Sequence, residues 1–431
     1  MSTEVHEPPP EADEQAAAAA EAARVAAPEV IAESLGEYTR IWLKRVRSGE
    51  SGALPVIIGL IAIVVYFQVR NSLFLSAGNL VNLIIQGAVF IVLGMAEVFV
   101  LLLGEIDLSV GFNAAVGAMT TAWLAFSTPW WVAILTGLAA TTVIGALQGT
   151  LITRLRLPSF VVTLAGFLGL EGLLIVLVAR SGHGPGGTIP ISNNIIDDLT
   201  TGNLSPAAGW IVMVIIVLLA GALMVVRDRR RRASNLVTPP ASVTVLKVAI
   251  MAVAGVAVVL VGNTNRGFTV PVRGVPWVVF VVLGLLGLWS ALLSRTRFGR
   301  YVYAIGGNAE AARRAGVNLV MIRTLAFTLC GLTAGAAGII YASRLGSIST
   351  NVDGGQLVLF AVASAVIGGT HLFGGVGRML HALLGGLVVA VINNGLGLLG
   401  MSAAATDIVT ALVLLAAVTV DTLARRGRAA R

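Results

Sequence analysis

Long, nearly uncharged apolar runs fix what this chain can become. The stretches at 54–69, 88–103, 210–226 and 277–293 carry almost no ionisable side chain, and each approaches or reaches the roughly 20 apolar residues that cross a bilayer as helix. A window of about 19 residues finds about twelve such candidates: 53–69, 81–103, 110–127, 130–152, 159–179, 208–226, 243–261, 276–294, 321–343, 357–374, 379–399 and 405–423. The runs are continuously apolar rather than alternating, which excludes a β-barrel. With 57% hydrophobic and 12% charged residues, the chain holds about half the charge of a soluble protein. Its 50 glycines suit close helix contacts in lipid, where small residues let backbones approach. The expected fold is an all-α polytopic membrane protein of about 10 to 12 transmembrane helices, several broken by glycine.

The formal charge of +8 does not point to nucleic acid. Only Lys44 and Lys247 are lysine, and the arginines cluster beside the apolar runs, as topology-setting charges do. An N-terminus inside the cell places 24 of the 29 basic residues there, leaving Arg70, Arg180, Arg266, Arg273 and Arg344 outside. Both termini are therefore expected in the cytoplasm. Cys330 is the only cysteine, so an intrachain disulfide and a thiolate metal site are both excluded.

Residues 1–37 hold nine of the 21 acidic residues, a Pro triplet and an Ala run. They lack the basic start and apolar centre of a secretory signal and read as a disordered cytoplasmic tail. Residues 38–50 form a basic amphipathic segment suited to the inner membrane surface. The membrane domain spans 51–424, with a polar loop at 298–320, and 425–431 is a basic cytoplasmic tail.

An internal repeat is visible. GEIDLSVG at 104–111 aligns with GGTHLFGG at 368–375; both follow a run entering from outside and precede one that returns. That pattern implies parallel repeats about an axis along the membrane normal.

Ionisable and amide residues inside apolar runs are the first candidates for function, because they are costly unless they face a bundle interior or a water-filled path. Glu105, Asp107 and Ser109 sit where Gly104 and Gly111 can break a helix, and broken helices expose polar groups to a cavity. Asp107 is also placed to N-cap the following helix, and a proton relay is a third use. Glu171 lies mid-run in FLGLEGLLI; His371, Asn393 and Asn394 lie in or beside the runs at 357–374 and 379–399. The amides fit either helix–helix hydrogen bonds or a lining that touches the hydroxyls of a polar cargo. His371 and His381 have no spaced carboxylate or cysteine partners, so no metal site is expected.

Neither lysine stands in a Gly-Lys-Ser/Thr phosphate loop, so this chain is expected to bind no nucleotide. Against that background the polar segment 298–323 has the look of a docking element. Gly307 and Asn308 make a turn with a capping side chain, and AEAARRAG at 309–316 is a short helix stopped by Gly316. Ala311, Ala312 and Ala315 would form a low-relief face for a partner's groove, with Glu310, Arg313 and Arg314 fixing register.

These motifs resemble a known family, the membrane permease subunits of bacterial ABC importers for monosaccharides of the ribose/xylose/galactoside class. The carriers are GEIDLSVG at 104–111, GNAEAARRAGVN at 307–318 and IGGTHLFGGVGR at 367–378, supported by LPSFVVTLAG at 157–166 and RTRFGRYVYAIG at 295–306. The likeness covers about residues 53–424 and is strongest to the xylose-type branch; Glu105 stands where many relatives have a second glycine, and His371 where serine is common. The resemblance implies a homodimer of this chain, two cytoplasmic ATPase subunits carrying Mg-ATP, and a periplasmic or lipid-anchored sugar-binding protein in the bacterial inner membrane. It also implies that 307–316 is the coupling helix seated on the ATPase. Read from the residues alone, a stand-alone proton-coupled sugar transporter and a non-transporting membrane scaffold remain rivals.

Overall fold

The computed structural model describes residues 54–413 except 183–186, 235, 237 and 268, together with Gly36, Arg40, Leu415 and Thr419. The expectations for the N-terminal tail, the juxtamembrane segment and the basic C-terminus fall outside the described residues. Fifteen described helices and two short strands follow in the order α1 (Leu54–Arg70), α2 (Ala77–Leu101), α3 (Val110–Leu124), α4 (Trp130–Arg154), α5 (Ser159–Ser181), β1 (Thr188–Pro190), α6 (Asn194–Asp197), α7 (Pro206–Ala233) and α8 (Ala241–Asn263). Then come α9 (Trp277–Arg295), α10 (Arg297–Gly307), α11 (Ala309–Arg314), α12 (Leu319–Leu345), β2 (Ser347–Ser349), α13 (Gly354–Ile367), α14 (Met379–Leu398) and α15 (Ala403–Val413).

Among the described residues, eight of these helices are long and apolar enough to span a membrane: α2, α4, α5, α7, α8, α9, α12 and α14. The other four expected spans are helices too, but α1, α3, α13 and α15 are shorter. The fold is all-α and polytopic. The predicted run 357–374 ends early, at Ile367, because Gly369, Gly374 and Gly375 take positive φ, which side-chain-bearing residues avoid. The predicted start at 81 moves to Ala77, where Ser76 accepts from Asn79 N–H as N-cap.

Residues Val214–Gly255 fall in one compact unit, most of α7 and α8. Inside it Asp228 accepts from the Thr244 hydroxyl at 2.6 Å and pairs with Arg227 at 3.0 Å, and Gly221 faces Val248. The second unit holds Gly49–Met213 and Val256–Arg431. At its centre α2 is enclosed by α12, α13 and α14, while α12 also packs along α3 and α4. Small residues make these contacts close. A Cβ on Gly145 would strike the Phe327 carbonyl, one on Gly331 the Thr141 carbonyl, and one on Gly149 would lie 2.9 Å from Thr324 Cα. Gly145/Gly149 and Gly331/Gly335 are thus facing small-xxx-small stripes on α4 and α12. The Thr153 and Thr324 hydroxyls bond across the same seam at 3.0 Å. The antiparallel pair β1–β2 buries Ile189 against Ile348.

Both predicted breaks exist, after α2 and after α13. Their conformations differ, however. Gly104 is left-handed whereas its aligned partner Gly368 is right-handed, and Gly111 lies in helix whereas Gly375 is left-handed. The two motifs share a location in the chain order, not a backbone.

Candidate functional site

The α2–α3 break builds a buried polar cluster. Past Leu102, which still caps α2, the chain turns at Gly104, whose φ is positive, and residues 105–107 take no regular structure before α3 starts at Val110. Asp107 Oδ1 accepts from Ser109 N–H at 2.8 Å and from the Ser109 hydroxyl at 2.6 Å; Oδ2 lies 3.6 Å from Cys330 Sγ on α12. Gln148 on α4 donates to Ser109 Oγ at 2.8 Å. The expected cap is therefore displaced: Asp107 fastens the residue before the helix, Ser109, which is the N-cap position and itself makes no side-chain cap bond. Asp107 and Ser109 are wholly buried, so neither lines an open path in this conformation. They face the bundle interior, where Gln148 of α4 and Cys330 of α12 pack over the break.

Glu97 is the residue that sequence reasoning missed. It lies in α2, is completely buried, and neither carboxylate oxygen has a hydrogen-bonding partner among the described residues, although Asp107 lies beside it. Gln148 Oε1 and Asn113 Oδ1 are likewise unpartnered. A single Glu inside GMAEVFVLLL carries no motif, and the available signal was only its cost in an apolar run.

Glu105 is not in the cluster. Its side chain turns to Arg323 at the start of α12, with Nη1 3.6 Å from Oε1. Asn394 forms a reciprocal amide pair with Asn79 at 2.9 and 3.0 Å, and Gln86 donates to Asn393. Both amides thus join α14 to α2 by hydrogen bonds between helices. Glu171 is half-buried on α5, and next to it Gly169 and Gly172 face open space. His371 is half-buried in the α13–α14 break, its N–H bonded to Val376 O at 2.9 Å. Among the described residues no group of three or more His, Cys, Asp or Glu could hold a metal ion.

The polar loop 298–320 is a helix pair. Thr296 caps α10, which buries Gly299, Val302 and Ile305. Asn308 then accepts from Ala311 N–H at 2.9 Å, and α11 stops where Gly316 turns left-handed and Val317 N–H reaches back to Ala312 O. The helix and both its caps lie where the sequence puts them. Glu310 accepts from Arg313 at 2.9 Å and Arg314 at 3.1 Å, and these guanidinium groups hold its carboxyl below the usual carboxylate range. The proposed alanine face needs one correction: Ala312 is buried against its own chain, while Ala311, Arg313, Arg314, Ala315 and Gly316 are exposed. An alanine helix carries no periodic signal to say which side faces inward.

The sequence profile described as "Branched-chain amino acid transport system / permease component" matches residues 79–418, from the start of α2 to past α15. The chain belongs to this permease family. Among its relatives, the xylose transport system permease protein XylH of Escherichia coli K12 is 33% identical over 376 residues, covering 86% of this permease and 92% of XylH. XylH of Haemophilus influenzae is 35% identical over 377 residues, covering 86% and 96%. The ribose import permease protein RbsC of E. coli K12 is 29% identical over 385 residues, covering 89% and 95%. No solved structure matches the permease.

Proposed function

We propose that this permease is the membrane subunit of an ATP-driven importer that carries a monosaccharide, xylose or a similar sugar, into the cytoplasm. The observation that carries this reading is the match, over 86% of the chain, to permeases named for xylose transport. The family description names branched-chain amino acids, but the relatives reported above, matched over nine-tenths of their length, are named for pentoses. Nothing among them favours a proton-coupled carrier.

In this reading the energy comes from elsewhere. Two separate cytoplasmic ATPase subunits hold Mg-ATP and seat the exposed side of α11, where Gly307, Asn308 and Gly316 set its ends and Ala311, Arg313, Arg314 and Ala315 meet the partner groove. A second copy of the permease completes the membrane assembly in the bacterial inner membrane. A periplasmic sugar-binding protein delivers cargo to the opposite face, and both termini of the permease lie in the cytoplasm. ATP and the loaded binding protein shift the assembly between inward- and outward-facing states because each binds one state better than the other.

Reconstitution tests this directly. Proteoliposomes with the permease, its ATPase and its binding protein should accumulate labelled xylose only with internal-type access of ATP to the ATPase. Xylose uptake by the permease alone, driven by a proton gradient, would overturn the reading.

A further inference from the structure

Three chain segments far apart in the sequence meet at one point. The first is the end of α2, Leu102–Gly104; the second is the last turn of α10, Tyr303–Gly306; the third is the α13–α14 break around Gly374–Gly377. Gly375 N–H donates to Leu102 O at 2.9 Å, and the Tyr303 hydroxyl donates to Gly377 O at 2.8 Å. The backbones are in direct contact. A Cβ on Gly306 would run into Leu102 O, and one on Gly374 would sit 2.9 Å from Gly104 N and 3.0 Å from Gly306 O. One on Gly375 would sit 3.2 Å from Gly307 Cα. No side chain cushions this junction, so a shift of one backbone is handed to the other two.

Its place in the chain makes it more than a packing point. Gly306 lies two residues before Asn308, the cap of α11, and Leu102 lies five before Asp107. At the far end of α11, Arg323 in the first turns of α12 pairs with Glu105, three residues beyond Leu102. The docking helix is therefore tied to the α2–α3 break both upstream and downstream. It is tied to the α13–α14 break as well, through Gly375 and Tyr303. Coupling between distant sites is carried by contiguous packed and hydrogen-bonded elements of this kind.

We propose that the Leu102–Gly306–Gly375 junction, with the Tyr303–Gly377 hydrogen bond, is the positioning element that converts displacement of α11 into simultaneous movement of both helix breaks. The proposal rests on the reading that α11 docks an ATPase. Tyr303 and Gly306 are positioning residues; they touch neither nucleotide nor sugar.

The test is the number of sugars imported per ATP hydrolysed by the reconstituted complex, measured for Gly306→Ala, Tyr303→Phe and the control Gly284→Ala on α9, whose added methyl meets nothing within 4 Å. Tyr303→Phe removes one hydrogen bond without adding volume and should lower the ratio about fivefold; Gly306→Ala, which forces the backbones apart, should lower it roughly a hundredfold. In both, co-purification with the ATPase and ATP hydrolysis should persist, and Gly284→Ala should keep the wild-type ratio. A merely structural role would change assembly or thermal stability and leave the ratio alone. A wild-type ratio in an assembled Tyr303→Phe complex overturns the proposal, whether or not Gly306→Ala assembles. If instead the wild-type complex shows no ATP-dependent uptake, the docking reading has failed and the junction falls with it.

Discussion

Replacing Asp107 separates its hydrogen bonds from its charge. Asp107→Ala leaves Ser109 N–H and the Ser109 hydroxyl without their acceptor in a site from which water is excluded. Each stranded donor costs about 1–3 kcal/mol. Removing the buried carboxyl also removes its desolvation cost, which offsets part of that loss. The balance is a loss of about 2–4 kcal/mol. Asp107→Asn behaves differently. Its amide oxygen still accepts from Ser109, and its NH2 is a donor beside the unpartnered Glu97 oxygens, so the cost should be about 1 kcal/mol or less. Heating the purified permease in detergent and following the folded fraction by size-exclusion chromatography should show a large loss for Asp107→Ala and a small one for Asp107→Asn. Xylose uptake should survive in Asp107→Asn, because the group is enclosed and acts through its acceptors. Equal stabilities for the two variants would refute the hydrogen-bond account; a stable Asp107→Asn that has lost uptake would show that the charge itself is used.

Glu97→Leu removes an unpartnered buried acid and should raise stability by about 1–4 kcal/mol; uptake should fall if the orphaned carboxylate is kept for another conformation, and full uptake in the stabilised variant would exclude that use. Arg314→Glu or Ala315→Glu, on the exposed side of α11, should weaken ATPase association roughly tenfold or more with membrane insertion intact, as read by pull-down. Ala312→Leu, by contrast, should act on folding, since Ala312 is buried, and is read by thermal stability. Gly145→Leu should separate α4 from α12 and cost about 1–3 kcal/mol or more, while Gly169→Leu, with nothing within 4 Å, should be near neutral in the isolated protomer.

The features legible in the sequence are those set by local chemistry. The apolar runs became helices because a bilayer permits little else. Asn308 and Gly316 bounded α11 because capping and a left-handed stop act within one turn. What escaped was set by partners far away in sequence. Glu105 looked like a neighbour of Asp107, yet one turns out to Arg323 and the other inward to Cys330. The separation is set by their distant partners on α12, Arg323 near its start and Cys330 further along. The partners of Asn393 and Asn394 are Gln86 and Asn79 on α2, some three hundred residues earlier, and no local pattern announces them. The aligned glycines of the two breaks matched in letters but not in φ, because glycine records permission for a conformation and not the conformation itself.

The burial of Asp107, Ser109 and Glu97 also bears on where sugar would pass. A route through the protomer centre would have to part α12 from α4 and α3, whose contacts run through glycine at backbone distance. Such seams hold by close packing along their whole length. A route along an outer face needs no such opening. Glu171 stands on α5 half-exposed at mid-helix, flanked by the open surfaces of Gly169 and Gly172, and an ionisable side chain there is costly against lipid. If a second copy of the permease covers that face, as proposed, the carboxylate gains a polar setting and the rocking of two stiff protomers opens and closes the space between them. Glu171→Leu should then reduce uptake in the assembled importer while leaving the stability of the protomer unchanged or raised. A variant that transports normally would move the path away from α5.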